Sequence, residues 1–423
     1  MPAGMISGLE DVVGLNALFA AVAGEPAIAL AVSGGADSLA LMLLAQRWAA
    51  GLAEPPKLFV YSVNHGLRPE AEAEVAFVLS AAEALGLPAR GLAWSGIKPL
   101  TGIQEAARGA RYRLMGEAMA ADGATVLLTA HHRQDQAETV LMRMAHGSGL
   151  EGLKGMTAMA EIEGVRVHRP LLGTDPALLR SIVEASGLTV AEDPSNSDPH
   201  YERVRWRQAL PDLAALGLDV STIAAFATRM ADADAAIAQI AEGCFTEIVR
   251  FDGFGAARIE LAPFVELSPA ISTRLMSRVL RNVGARQKPR ALGQVERLRQ
   301  AIVDGLTKTT TVLGCVVRLK DGAIAVAREP GRALPPDATV PAHGSLVWDE
   351  RFRIVNSSGE AGLTASVADY LPRHRLEEFL GFKVTAPAEA IRTAPIVRDA
   401  EGGVLSLGGW SFDERITVTL LVD

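Results

Sequence analysis

Two cysteines, Cys244 and Cys315, are all that 423 residues contain. They lie far apart and form no CxxC, so a disulfide framework and a zinc ribbon are both excluded, and a reducing cytoplasm is the expected setting. Positive charge is also short: 41 Lys and Arg against 49 Asp and Glu leave a net charge of -8. A chain that coats nucleic acid nonspecifically is disfavoured, which leaves room for a local basic patch. The first residues show no basic start with a cleavage pattern, so no export signal is expected. The most apolar stretch, 27–45, carries Asp37, two glycines and two serines in its middle. It fits a buried strand followed by a helix better than a membrane span, and no membrane partner is expected. There are no internal repeats, no low-complexity tract and no GxxxxGK[ST] loop.

Hydrophobic residues make up 49% and charged residues 21%, enough to bury large cores. The length calls for two or three domains. Up to about residue 200 (on the order of a domain or more), short apolar runs alternate with helical patterns. Strands are expected over 27–32, 57–63, 125–130 and 165–169, and helices over 39–50, 70–85, 104–119 and 135–145. That alternation predicts an α/β fold with a mainly parallel, doubly wound sheet covered on both faces. From residue 222 the pattern turns helical, with Ala-rich sequence to 243 and further helices within 269–304. Strand-like alternation follows over 309–319 and 323–328. A proline-rich linker, 333–341, precedes a last module of mixed character. The expected division is a catalytic domain over 1–215, a helical substrate-binding domain over 216–332 and a small α+β domain over 333–423.

The string Ser33-Gly34-Gly35-Ala36-Asp37-Ser38 stands between a buried strand and a helix. Two glycines let the backbone turn sharply and approach a ligand. The helix start offers free N–H groups and the positive dipole end to an anion. Asp37 repels phosphate, so it makes sense with a bridging cation such as Mg2+. An ordinary strand-to-helix turn also uses glycines and an N-cap serine, but the full SGGxDS string favours phosphate. It is the PP-loop signature and resembles that of the N-type ATP pyrophosphatases.

Three further strings follow. Val63-Asn64-His65-Gly66-Leu67-Arg68 ends the second strand, at the edge where open α/β sheets bind ligands. Alone it is a polar turn. Glu105-Ala106-Ala107-Arg108-Gly109-Ala110-Arg111-Tyr112 puts Arg108 and Arg111 on one helix face, which alone is a solvated face. Thr129 to Thr139, Thr-Ala-His-His-Arg-Gln-Asp-Gln-Ala-Glu-Thr, places Asp135 and Glu138 one helical turn apart. First-turn acids are common, but two histidines and two acids after a buried strand point to a ligand. Neighbours such as His131 and His132 rarely share one metal ion, so no zinc site is expected.

SGGxDS, VNHxLR, EAARxxRY and HHxxDQxET in this order resemble the tRNA(Ile)-lysidine synthetases. Leu141-Met142-Arg143, Gly147 to Leu153, Arg169-Pro170-Leu171-Leu172 and Glu192-Asp193-Pro194-Ser195-Asn196 extend the likeness across roughly 27–210. One departure is Gln134, where that family usually has an acid. The resemblance implies a two-step reaction at the first anticodon position: cytosine O2 attacks the α-phosphate of ATP, then the lysine ε-amine attacks C2 and expels AMP. It implies ATP and pyrophosphate contacts by Ser33, Gly34, Gly35, Ala36, Asp37, Ser38, Asn64 and His65, with Asp37 on Mg2+. It implies recognition of free L-lysine by Arg111, Asp135 and Glu138, and it makes Asp37, His131 and Glu138 the catalytic candidates. The ε-amine, of pKa about 10.4, must lose a proton before it attacks.

A tRNA(Ile) partner with a CAU anticodon needs local positive charge. Arg203, Arg205 and Arg207, beside Trp206, form one basic patch, and Arg274 to Arg299, including Arg286, Lys288 and Arg290, form another. Such runs are usually solvated faces, but the second holds only Glu296 among its acids. The last module, with Arg392 to Val397 before Gly402-Gly403, resembles the C-terminal domain of that family and is expected on the tRNA acceptor stem. The alternative is another PP-loop adenylating enzyme such as a tRNA thiolase. Thiolation usually needs cysteines near the site, and both cysteines lie outside the catalytic half.

Overall fold

The computed structural model describes residues 14–66, 70–96, 98–99, 101–190, 198–284, 292–331, 334–368 and 372–422. The chain divides into two compact units, Met1–Asp232 and Ala233–Asp423.

In the first unit, helix α1 (Leu15–Phe19) precedes strand β1 (Ala27–Ala31), α2 (Ala36–Ala50), β2 (Lys57–Asn64), α3 (Ala71–Ala84), β3 (Ala89–Ala93) and α4 (Ile103–Asp122). Then come β4 (Val126–Leu128), α5 (Arg133–Ala145), α6 (Leu150–Leu153), β5 (Met159–Ile162), β6 (Val165–His168), α7 (Pro176–Ser186), α8 (Glu202–Ala215) and α9 (Val220–Ile248), the last crossing the boundary of the units. The sheet order is β3-β2-β1-β4-β6-β5. All neighbours are parallel except β5 against β6.

Period-two alternation explains how the central strands are buried on both faces. Ile28, Leu30, Val60, Val126 and Leu128 pack on one side with α2, α3 and α7. Ala29, Tyr61 and Leu127 pack on the other with Tyr112, Met115 and Met119 of α4. The doubly wound parallel sheet is therefore as the sequence predicts. Strand order reverses between β1 and β4, so the loops leaving these two strands open the crevice where such sheets hold ligands. No single helix among the described residues is long and apolar enough to cross a membrane.

In the second unit, β7 (Val249–Phe251), β8 (Ala257–Glu260), β9 (Thr310–Val312), β10 (Cys315–Lys320) and β11 (Ala323–Arg328) form an antiparallel sheet in the order β7-β8-β11-β10-β9. Helices α10 (Leu261–Glu266), α11 (Pro269–Gly284) and α12 (Leu292–Val303) belong to the same part of the chain. Leu275, Met276, Val279 and Leu280 of α11 close its core against Ile259, Val317, Ile324 and Val326. The hairpin β7-β8 is absent from the sequence reading. The remaining strands are β12 (Ala338–Thr339), β13 (Gly344–Trp348), β14 (Phe352–Asn356), β15 (Thr364–Val367), β16 (Pro395–Arg398), β17 (Val404–Leu407), β18 (Trp410–Ser411) and β19 (Ile416–Leu420). They make one five-stranded and one three-stranded sheet, with helices α13 (Arg373–Leu380) and α14 (Ala388–Arg392). The proline-rich stretch 333–341 is more than a linker, because β12 within it pairs with β15.

Candidate active site

The phosphate loop leaves β1 and enters α2. Gly34 has φ +88°, a conformation that a side chain resists. The Ser38 hydroxyl donates to the Gly35 carbonyl at 2.9 Å and accepts from the Ser33 N–H at 3.1 Å. Ser38 therefore knits the loop, while Ser33 is the exposed hydroxyl. Gly35 is the N-cap of α2 and has no side chain to cap it, and the first helical bond runs from Leu39 N–H to Gly35. The N–H groups of the first turn are thus left to a ligand, at the positive end of the helix dipole.

Asp37 sits in that first turn and is 39% exposed. Among the described residues no Arg or Lys pairs with it. His132 Nε2 lies 3.5 Å from Asp37 Oδ2 and 3.5 Å from Asp135 Oδ2. His132 is the N-cap of α5: its Nδ1 accepts from the Asp135 N–H, and its own N–H donates to the Asp135 carboxylate at 3.0 Å. Burial alone would lower the His132 pKa, but Asp37, Asp135 and Glu138 outweigh it and raise it. The sequence reading singled out His131 and passed over His132, although a polar residue three before an acid at a helix start is an N-terminal signature. Asp37 and Asp135, from the first turns of the helices that follow β1 and β4, meet at one imidazole.

Glu138 is fully buried. Arg207 Nε donates to its Oε1 at 2.8 Å and Arg203 Nε lies 3.0 Å from Oε2, both from α8. Gln134 adds a hydrogen bond to Oε1 at 3.1 Å. The acid expected for an amine and two arginines expected for RNA are thus paired with each other, which the sequence reading did not foresee. Arg205, on the outer face of α8, donates to the carbonyls of Pro199 and His200. A cavity of about 460 Å³ beside this cluster is lined by Arg133, Gln134, Asp175, Arg207 and Asp219, among others.

His131 is held by Thr129 Oγ1 at 3.0 Å. Burial, with the charges of Arg169, Arg203, Arg111 and Arg108, pushes its pKa down to about 3. Arg108 and Arg111 lie 5.3 and 5.4 Å from the ring centre of buried Tyr112. Burial and the neighbouring Arg108 lower the Arg111 pKa. Asn64 is spent on its own turn, its Oδ1 accepting from the Gly66 N–H at 2.7 Å. His65 is half-buried, and burial, Arg111 and Lys98 lower its pKa. In the second unit, Arg274 and Arg278 pair with Asp234 and Glu242. Arg286, Lys288 and Arg290 lie outside the described residues, as do Arg68 and the string 192–196. Cys244 and Cys315, neither of them in a disulfide, both belong to the second unit.

Residues 11–213 match the PP-loop domain family. A tRNA(Ile)-lysidine synthase of Rhodopseudomonas palustris is 43% identical over 327 residues, covering 74% of this chain and 94% of its own length. The chain belongs to the tRNA(Ile)-lysidine synthase family. The synthase of Bradyrhizobium diazoefficiens is 40% identical over 337 residues, covering 74% of this chain and 93% of its own. That of Ruegeria pomeroyi is 36% identical over 353 residues, covering 82% and 80%. Membership of the synthase family makes the chain an ATP-consuming ligase of tRNA modification.

Proposed function

We propose that the chain ligates lysine to C2 of the first anticodon cytidine of tRNA(Ile), anticodon CAU, through an adenylated cytidine, yielding lysidine, AMP and pyrophosphate. One observation carries this reading: His132 reaches Asp37 on the phosphate side and Asp135 on the amine side at 3.5 Å each. Phosphoryl chemistry and amine recognition thus share one crevice. The uncapped start of α2 suits the leaving pyrophosphate.

Mg2+ suits Asp37, a partly exposed carboxylate that no Arg or Lys pairs with among the described residues and that only the His132 imidazole approaches, at 3.5 Å. No group of three or more His, Cys, Asp or Glu among the described residues is arranged to hold a metal ion by itself. That suits an ion bound by one or two carboxylates with phosphate and water. When bound, it offsets charge on the phosphates.

The lysine amine is assigned to Asp135 and Glu138, and its carboxylate to Arg111. The mixed charges of the neighbouring cavity suit a zwitterion, and its residues Gln134 and Arg207 are the partners of Glu138. Glu138 meets the amine once Arg203 and Arg207 turn to RNA phosphate. Glu138 remains the assigned proton acceptor, whereas His131, its pKa pushed down to about 3, is too weak a base to take the proton of the ε-ammonium. Residues 216–332 and 333–423 are assigned to tRNA, with Arg205, Arg286, Lys288 and Arg290 among the contacts, and the setting is cytoplasmic.

The test is incorporation of radiolabelled lysine into an unmodified tRNA(Ile) transcript with ATP and Mg2+. Label that requires ATP and disappears when the anticodon cytidine is replaced is the expected result. AMP release with another RNA or amine, and no label, overturns it in favour of another PP-loop adenylating enzyme.

A further inference from the structure

The carboxyl ends of β2 and β3 carry Trp94 and Lys98, which no assignment above uses, beside His65, which the resemblance places among the ATP contacts. Trp94 follows β3 directly, and its N–H donates to the Asn64 carbonyl at the end of β2, at 2.9 Å. Its indole is half-buried. The His65 ring stands edge-on to it, centroids 6.4 Å apart at 84°. Lys98 Nζ lies 5.4 Å from the centre of the indole and donates to the Gly66 carbonyl at 2.5 Å.

The glycine is required for this arrangement. Gly66 has φ +58°, and a Cβ there would meet Lys98 Nζ at 2.7 Å. The turn is closed by Asn64, so the lysine is seated on a prepared support. Both charged groups that bear on His65, Lys98 and Arg111, are cations. The site lies along the same sheet edge as the phosphate loop, two strands away from β1.

A partly exposed indole stacks on a base, and a fixed cation beside it takes the attached phosphate. Either feature alone is ordinary on a protein surface. Together, at the ligand edge of a parallel sheet, they match one chemical class. We propose that Trp94, Lys98 and His65 form a stacking subsite for a nucleobase bearing a phosphate. Two sources share that chemistry, the adenine of ATP and a base of the RNA. The inference rests on the proposed function, which makes both of them substrates.

Binding to the full chain is measured directly with two probes, ATP and an anticodon stem-loop RNA with CAU. Trp94→Ala is expected to weaken one of them roughly tenfold or more, the size of a lost base–aromatic stack. Trp94→Phe, which keeps a ring, restores most of it, and Lys98→Gln lowers the salt dependence of the same probe. Loss confined to ATP assigns the base to adenine, and loss confined to RNA assigns it to the transcript. If Trp94→Ala does not fold, Trp94→Phe and Lys98→Gln carry the test through that salt dependence. Wild-type affinity for both probes in Trp94→Ala, or in Lys98→Gln where Trp94→Ala does not fold, overturns the subsite while leaving the proposed function standing. A wild-type chain that binds neither probe overturns both.

Discussion

Each unit of the chain places two guanidiniums on one carboxylate, and the two clusters differ in reach. In the first unit, Glu138 is shared by Arg203 and Arg207, which are 39% and 37% exposed. In the second, Asp349 takes Arg328 through two hydrogen bonds of 2.7 and 2.8 Å and Arg351 through one of 2.9 Å. Arg351 is wholly buried and donates also to the Thr393 carbonyl after α14. Its pKa is lowered to about 10, burial outweighing Asp349, so it stays charged at neutral pH. Through Asp349, Arg328 and Arg351 tie β11, the β13-β14 turn and the end of α14 together. The arginines on Glu138 reach solvent and can exchange partners. The same polar motif is closed off in one unit and open to solvent in the other, and exposure rather than residue type separates them.

The largest expected effect belongs to the working crevice alone. Asp37→Ala should lower AMP formation by about a thousandfold or more, as when a preorganised charge contact is lost, with RNA binding nearly intact. A variant that still turns over ATP removes Asp37 from the reaction. Next comes the fastening. Asp349→Ala should cost on the order of 3–5 kcal/mol of stability by leaving the buried Arg351, and with it the half-buried Arg328, without a carboxylate. ATP binding by the protein that remains folded should stay unchanged. Denaturant titration with ATP dialysis checks both, and a stable Asp349→Ala would erase the contrast between the clusters.

How much of this was legible beforehand follows from the range of the signals. The parallel sheet was, because 27–32 and 57–63 are apolar runs whose alternate residues fill two cores. The phosphate loop was, because its string is local. The edge strand β3 was not: Ala89–Ala93 is largely exposed and carries no apolar run. Helix α7 was missed although Asp175 caps it and Pro176 opens it, a start signal that sequence supplies. The Glu138 cluster was beyond reach. Nothing local to 203–207 says that α8 lies against α5, so its arginines looked like a free patch. Arg274 and Arg278 misled in the same way, since their acids stand some 40 and 36 positions earlier.

Arg207→Gln should reduce lysine ligation about ten- to a hundredfold, the size of one charge-assisted contact, and lower the salt dependence of RNA binding. Stability should fall far less than in Asp349→Ala, because Arg203 and Gln134 still serve Glu138. An equal loss of stability in the two variants would make Glu138 a fastening as well.

The smallest effect tests the positive charge around His131. Its folded pKa of about 3 lies below the ordinary value of 6.5, through burial and then four arginines. The unfolded chain therefore binds the proton more readily. The resulting stability is fully present above pH 6.5 and is lost as the pH falls from there towards 3. At pH 5 the loss is roughly 2 kcal/mol, about 1.5 pH units at 1.36 kcal/mol each. His131→Asn removes the titration and can keep the hydrogen bond to Thr129, so its unfolding midpoint should fall less between pH 7 and 5 than that of the unmodified chain. ATP should flatten the unmodified curve as well, because an anion beside the arginines raises the His131 pKa towards normal. The fastening around Asp349 offers no such coupling. A pH profile that ATP leaves unchanged would mean that these arginines do not face the nucleotide, and it would return them to the lysine carboxylate or to RNA.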